Sequence, residues 1–167
     1  MKTAVCPGSF DPITLGHLDI IKRASTLFDR VIVLVVINPN KNPAFTAQER
    51  VEMIKKAVKG IANVTVDSYE GLLIDYVRQV GAVAIVKGLR AMSDFEYEFQ
   101  MALTNKKFMP YAETVFLTTG LQNMYLSSSL VKQVAQFKGD ISDFVPRVLY
   151  DEIVDRLMPK SDKGDND

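Results

Sequence analysis

An unbroken apolar run, Val31-Ile32-Val33-Leu34-Val35-Val36-Ile37, sets the tightest limit on how this chain can fold. It has no polar alternation, so a strand made from it must be covered on both faces, as the central strands of parallel sheets are. It also falls far short of the ~20 apolar residues that a membrane span needs. Parallel strands require long crossovers, usually helical, and the flanking sequence supplies them. Further short β-branched runs at Lys2–Cys6, Asn63–Ser68, Ala82–Val86 and Thr114–Thr118 read as strands beside Val31–Asn38. Helical patterns lie between them, near Gly16–Phe28, Ala47–Lys59, Leu72–Val80 and Asp94–Phe108. Thr46 with Glu49, and Ser93 with Glu96, have capping-box spacing and predict two of the helix starts. A helix near Ser128–Phe137 ends before Gly139, and Pro146 opens a last one running to about Met158. The expectation is an α/β fold: a Rossmann-like, doubly wound, five-stranded parallel sheet flanked by helices. It occupies a single domain over residues 1–158, and the polar tail 159–167 is expected to be disordered.

The whole-chain numbers narrow the function classes. A chain of 167 residues is one domain's worth, and 47% apolar with 24% charged residues is ordinary for a globular protein. Lys plus Arg equals Asp plus Glu at 20 each, so no global field favours nucleic acid or an anionic membrane. A phosphate ligand must be held by local positive charge. Cys6 is the sole cysteine, which excludes an intrachain disulfide and a thiol zinc framework. Thr3-Ala4-Val5-Cys6 follows the start directly, without a basic segment and long apolar run, so no secretory signal is expected and the expected location is the cytoplasm. The nine glycines include no pair two residues apart, which removes G-x-G-x-x-G. G-x-x-x-x-G-K-[ST] and G-x-S-x-G are missing as well. Dinucleotide dehydrogenases, P-loop NTPases and α/β-hydrolases are therefore disfavoured.

What remains is a loop of unusual composition. The first strand runs into Pro7-Gly8-Ser9-Phe10-Asp11-Pro12-Ile13-Thr14-Leu15-Gly16-His17 and then into a helix. Ligands of parallel sheets sit at the carboxyl ends of the strands. A helix that starts there aims free N–H groups and a positive dipole end at the cleft, which suits phosphate. Thr14 can cap this helix, and His17, the only histidine, stands in its first turn. Asp11 reads as an organiser of the loop through backbone hydrogen bonds. Lys87-Gly88-Leu89-Arg90 follows the fourth strand and places two cations at the same edge. On the next helix Phe95, Phe99, Ala102 and Leu103 form an apolar stripe that contains Glu98, so this carboxylate needs partners. A structural ion pair, with Arg90 for example, and a functional role are both open to it. Lys41, in Asn38-Pro39-Asn40-Lys41-Asn42-Pro43, reads by itself as a solvated charge. Leu126-Ser127-Ser128-Ser129 begins another helix and offers hydroxyls and free N–H groups. Cys6 reads as an inert strand residue.

The segment Gly8 to His17 resembles the hallmark of the HxGH-type nucleotidyltransferases, in which threonine can stand at the first histidine position, as Thr14 does here. Lys87-Gly88-Leu89-Arg90-Ala91, Asp94-Phe95-Glu96-Tyr97-Glu98 and Leu126-Ser127-Ser128-Ser129 narrow the resemblance to bacterial phosphopantetheine adenylyltransferases, over about Val5 to Val145. The resemblance implies adenylyl transfer from ATP to 4′-phosphopantetheine, giving dephospho-coenzyme A and pyrophosphate in coenzyme A synthesis. It implies His17 as the catalytic residue, with Ser9, Phe10, Gly88, Leu89, Arg90 and Glu98 also in the ATP site. The run Asn123, Met124, Tyr125, Leu126, Ser127, Ser128 and Ser129 completes that site. Ser9, Lys41, Leu73 and Lys87 would hold phosphopantetheine, with lysine standing at 87 where most relatives carry arginine. Mg²⁺ is the expected cofactor, with no ligands assigned, and a homohexamer the expected assembly. No nucleic-acid or membrane partner is expected. The alternatives are a sister enzyme acting on nicotinate mononucleotide or glycerol phosphate, and a non-catalytic adenine-nucleotide sensor.

Overall fold

The computed structural model describes residues 1–40 and 42–159. Its strands are β1 (Thr3–Gly8), β2 (Arg30–Ile37), β3 (Val64–Glu70), β4 (Ala84–Leu89) and β5 (Glu113–Thr118). Interleaved with them are α1 (Leu15–Leu27), α2 (Ala47–Ala57), α3 (Leu73–Gln79) and α4 (Met92–Phe108), and the chain continues through α5 (Ser128–Gln136) and α6 (Tyr150–Leu157). Short 3-10 turns at Leu121–Asn123 and Arg147–Leu149 precede the last two helices. All pairings are parallel and the sheet order is β3-β2-β1-β4-β5, as a doubly wound sheet requires.

The apolar run of β2 is covered on both faces. Val33 and Val35 pack with Ile21 of α1, Met53 and Ile54 of α2 and Ile153 of α6. Ile32 and Leu34, one residue out of phase, join Tyr76 and Val77 of α3 on the opposite face. A third cluster sets Ile20 and Ala24 of α1 against Ala4, Cys6, Ala84 and Val86 of β1 and β4. Strand periodicity thus sends alternate residues of one apolar strand into different cores.

Three details depart from the expectations. β4 extends to Leu89, because Lys87, Gly88 and Leu89 pair with Phe116, Leu117 and Thr118 of β5. The Lys-Gly-Leu segment therefore lies within the strand rather than after it. α4 opens at Met92 with Ala91 as its N-cap and no side-chain cap, so the capping box expected from Ser93 and Glu96 does not set its start. The apolar stripe of α4 is only half covered: Phe95 stacks on Phe99 and meets Phe116 edge-on, while Leu103 is 57% exposed. Of the expected tail at 159–167, all but Pro159 lies outside the described residues.

Candidate active site

The sheet parts at its switch point. β1 stays in register with β2 as far as Gly8 opposite Val35, and β4 with β5 as far as Leu89 opposite Thr118. Between β1 and β4, pairing covers only Ala4 with Ala84 and Val5 with Ile85. Beyond that point the carboxyl ends of the two strands diverge, and a cleft of about 900 Å³ opens there. Pro7 and Gly8 line one side and Lys87 and Gly88 the other.

At the floor of the cleft, Thr14 is the N-cap of α1, and its Oγ1 accepts the His17 N–H at 3.3 Å. The return half of the capping box comes from the imidazole. The Thr14 N–H donates to His17 Nδ1 at 3.0 Å. A backbone N–H can only donate, so Nδ1 is the acceptor and the ring proton sits on Nε2. Burial, followed by the charges of Arg90 and Lys87, pushes the His17 pKa down to about 4. The imidazole is therefore neutral at pH 7 and is locked in the tautomer that keeps an N–H donor on its other nitrogen.

The surrounding loop is fixed as firmly. Both Asp11 carboxylate oxygens accept backbone N–H groups, from Ala44 at 3.1 Å and Phe45 at 2.9 Å. Oδ2 also pairs with Lys132 Nζ of α5 at 2.8 Å. Burial pushes the Asp11 pKa up, but the Lys132 and backbone bonds outweigh it and hold it below the usual value. Ser128 Oγ donates to the Pro12 carbonyl at 2.8 Å, and Ser127 caps α5 by accepting the Leu130 N–H at 3.0 Å. Ser127, Ser128 and Ser129 all line the cleft beside the N-terminus of α5.

The cations on the β4 side are held by carboxylates one turn apart on α4. Lys87 Nζ lies 3.1 Å from Glu98 Oε2. The Arg90 guanidinium forks onto Asp94 at 3.0 and 3.2 Å, and its Nη1 donates to the Leu126 carbonyl at 2.9 Å. The Arg90 N–H also donates to Asp94 at 3.3 Å. Burial raises the Asp94 pKa, yet the bonds and charge of Arg90 bring it below the usual carboxylate value. Glu98 thus has an ion-pair partner, but it is Lys87 rather than Arg90, because Asp94 already occupies the guanidinium fork.

The cleft gathers Ser9, Phe10, His17, Lys87, Gly88, Arg90, Glu98 and Leu126 to Ser129 along one wall-to-wall path. Leu89, the last residue of β4, and Asn123, Met124 and Tyr125, in and just after the 3-10 turn before α5, are outside this lining. Leu73, at the start of α3, packs instead beside Val36 and Tyr69 against the Tyr76–Val77 cluster. Lys41 lies outside the described residues. Cys6 borders the cleft, but burial pushes its thiol up to about 12, which leaves it unreactive. Sequence reasoning gave no role to Arg50, Lys132 or Asp94, all of which line the cleft. Arg50 and Lys132 are told from surface helix charges only by long-range partners, Ser9 and Asp11, whereas Asp94 pairs locally with Arg90 four residues before it. Among the described residues no three His, Cys, Asp or Glu side chains cluster to hold a metal, and Asp11, Asp94 and Glu98 are each committed to a cation. This donor set does not fit a resident metal.

A phosphate-seeking helix start at a parallel-sheet switch point, with a neutral imidazole donor and flanking cations, has the make-up of a nucleotidyl-transfer site. Residues 5–134 match the family described as cytidylyltransferase-like. The phosphopantetheine adenylyltransferase of Alkaliphilus metalliredigens is 62% identical over 149 residues, covering 89% of this chain and 95% of the relative. That of Caldanaerobacter subterraneus subsp. tengcongensis is 56% identical over 164 residues, covering 98% and 100%. The chain belongs to the cytidylyltransferase-like family and, within it, to the phosphopantetheine adenylyltransferases. Among solved structures, a Vibrio parahaemolyticus protein assigned as a nicotinate-nucleotide adenylyltransferase aligns with a TM-score of 0.69 at 21% identity, covering 96% of this chain and 100% of that one. A lipopolysaccharide core biosynthesis protein from Thermoplasma volcanium aligns at 0.57 and 22% identity, covering 72% and 98%. These two likenesses bear on the fold alone.

Proposed function

We propose that this chain transfers the adenylyl group of ATP to 4′-phosphopantetheine, releasing pyrophosphate and forming dephospho-coenzyme A for coenzyme A synthesis. One observation carries the reading. The sole histidine is neutral, with its Nδ1 held by the Thr14 N–H, so that Nε2–H remains a donor in a cation-rimmed cleft. The nucleophile is a phosphate oxygen of the acceptor, already ionised at neutral pH, so no general base is required. It attacks the α-phosphorus in line, and the bond to the bridging oxygen of pyrophosphate breaks. Catalysis then consists of alignment and charge stabilisation. His17 Nε2–H donates to an oxygen of the transferring phosphoryl group. Arg90 and the N-terminus of α5 receive the ATP phosphates, with Glu98, Gly88 and Leu89 beside the nucleotide. By resemblance Asn123, Met124 and Tyr125 belong to the same ATP site. Lys87 and Lys41 receive the acceptor phosphate, Ser9 lies between the two substrates, and Leu73 borders the pantetheine arm.

Mg²⁺ enters this reading with ATP, as the counter-ion of its phosphates, and needs few protein ligands. Exposed apolar residues along α4, among them Met92, Phe99, Leu103 and Phe108, support packing against further copies of the chain, by resemblance as a hexamer. No helix among the described residues is long and apolar enough to cross a membrane. The cytoplasm, where ATP is plentiful, is the proposed location. Pyrophosphate release measured with phosphopantetheine, nicotinate mononucleotide and glycerol phosphate tests the assignment. Release with phosphopantetheine alone supports it, release with another acceptor selects a sister activity, and no release at all leaves a nucleotide sensor.

A further inference from the structure

Arg50 stands out among the cleft residues because nothing described so far explains its charge. It projects from the first turns of α2 and is only 5% exposed. Its Nη1 donates to the Ser9 carbonyl at 2.8 Å and its Nε to the Thr46 carbonyl at 3.3 Å. Among the described residues no carboxylate lies within ion-pair distance of it, and the nearby Asp11 pairs with Lys132 instead. Burying a guanidinium without a paired anion costs several kcal/mol. The two carbonyls accept from two of its five N–H groups and do not neutralise it.

The carbonyl it grips begins the most strained turn of the loop. Phe10 has φ of +49°, the left-handed region that a bulky residue enters at a cost of roughly 1–3 kcal/mol. The Ser9–Phe10 peptide is trans, so holding its C=O toward Arg50 turns the Phe10 N–H to the opposite side. No backbone carbonyl among the described residues accepts that N–H. The same twist presses the Phe10 ring over Gly8, where any β-carbon would sit 2.9 Å from the ring. It also brings the ring edge-on to the His17 imidazole, at 5.1 Å between centroids. The grip on Ser9 is thus relayed through Phe10 to the face of the histidine.

We propose that Arg50 is a positioning residue for adenylyl transfer, fixing the Ser9–Phe10 peptide and, through the Phe10 ring, the orientation of His17. The inference rests on the activity proposed above, and its test separates the two. Arg50→Lys keeps the charge but has a single ammonium that cannot span both carbonyls, and Arg50→Met removes the charge while keeping the volume. Because the chain has one histidine, its ring signals in heteronuclear NMR are unambiguous and need no substrate. In Arg50→Lys the His17 ring signals should move from their wild-type positions. With both substrates saturating, kcat should fall roughly tenfold to a hundredfold, as expected for a displaced catalytic group. Exogenous methylguanidine should restore part of the turnover in Arg50→Ala. Arg50→Lys turnover within twofold of wild type overturns the proposal, and so does a drop in kcat with unmoved His17 signals. If Arg50→Met does not fold, Arg50→Lys alone decides. A wild-type protein that does not adenylylate phosphopantetheine defeats the substrate assignment, and the His17 signals still decide whether Arg50 positions the ring.

Discussion

Lowering the pH from 7 to 4 should destabilise the native chain through one identifiable group. Burial and the charges of Arg90 and Lys87 hold the His17 pKa at about 4, whereas an unperturbed histidine titrates at 6.5. Above pH 6.5 the imidazole is neutral in both the folded and the unfolded chain and contributes no pH dependence. Between 6.5 and about 4 the unfolded chain takes up a proton that the native site refuses, so stability falls as pH falls. Below about 4 both states are protonated and this contribution is constant. At about 1.4 kcal/mol per pH unit the full penalty is roughly 3 kcal/mol. That figure is a ceiling, because His17 has an edge open to the water of the cleft. The assay is urea denaturation of wild type and His17→Gln at a series of pH values, with the wild-type imidazole followed by NMR. Asp11, Asp94 and other carboxylates titrate in both proteins, so their contributions cancel in the difference. The wild type should lose up to about 3 kcal/mol relative to the variant between pH 7 and 4. Parallel stability curves, or an imidazole titrating near 6.5, would refute the buried neutral donor.

Further outcomes follow from the same geometry. His17→Ala should retain the fold and lose hundreds-fold in turnover, about 3–4 kcal/mol of transition-state stabilisation, with little change in ATP affinity by calorimetry. Lys87→Ala should raise the KM for phosphopantetheine and lower kcat, since about 1.5–3 kcal/mol of charged hydrogen bonding is removed. Lys87→Arg should be tolerated, because its fork can grip phosphate while Glu98 still offers a partner in the free enzyme. Asp94→Asn releases the Arg90 fork, and kcat/KM for ATP should drop about tenfold. Stability should change by less than ~1 kcal/mol, because the pair is partly exposed. Steady-state kinetics beside urea curves check both halves of that statement.

The sheet was legible because its signals are local. The run Val31–Ile37 has one physical solution, and the strand-loop-helix passage through Gly8 and Thr14 announces its own position at the sheet edge. His17 and the serines of α5 were legible for the same reason. The pairings across the cleft were not. Arg50 and Ser9 are 41 residues apart, and on α2 the arginine reads as one more helix charge. The place of Glu98 in an apolar stripe calls for a partner, but the choice of Lys87 over Arg90 depends on how β4 and α4 face each other. The capping box of α1 was half hidden because an imidazole, rather than the usual Glu or Gln, makes its return bond. The start of α4 is hidden because Asp94 turns back to Arg90 and no side chain caps the helix.

In this cleft a phosphate oxygen of 4′-phosphopantetheine should displace pyrophosphate from the α-phosphorus of ATP. Phosphopantetheine labelled with ¹⁸O in its non-bridging phosphate oxygens, incubated with ATP and the enzyme, tests it by mass spectrometry. Dephospho-coenzyme A should retain every labelled oxygen, and the pyrophosphate should be unlabelled. Label in the pyrophosphate, or no diphosphate-linked product at all, would contradict it.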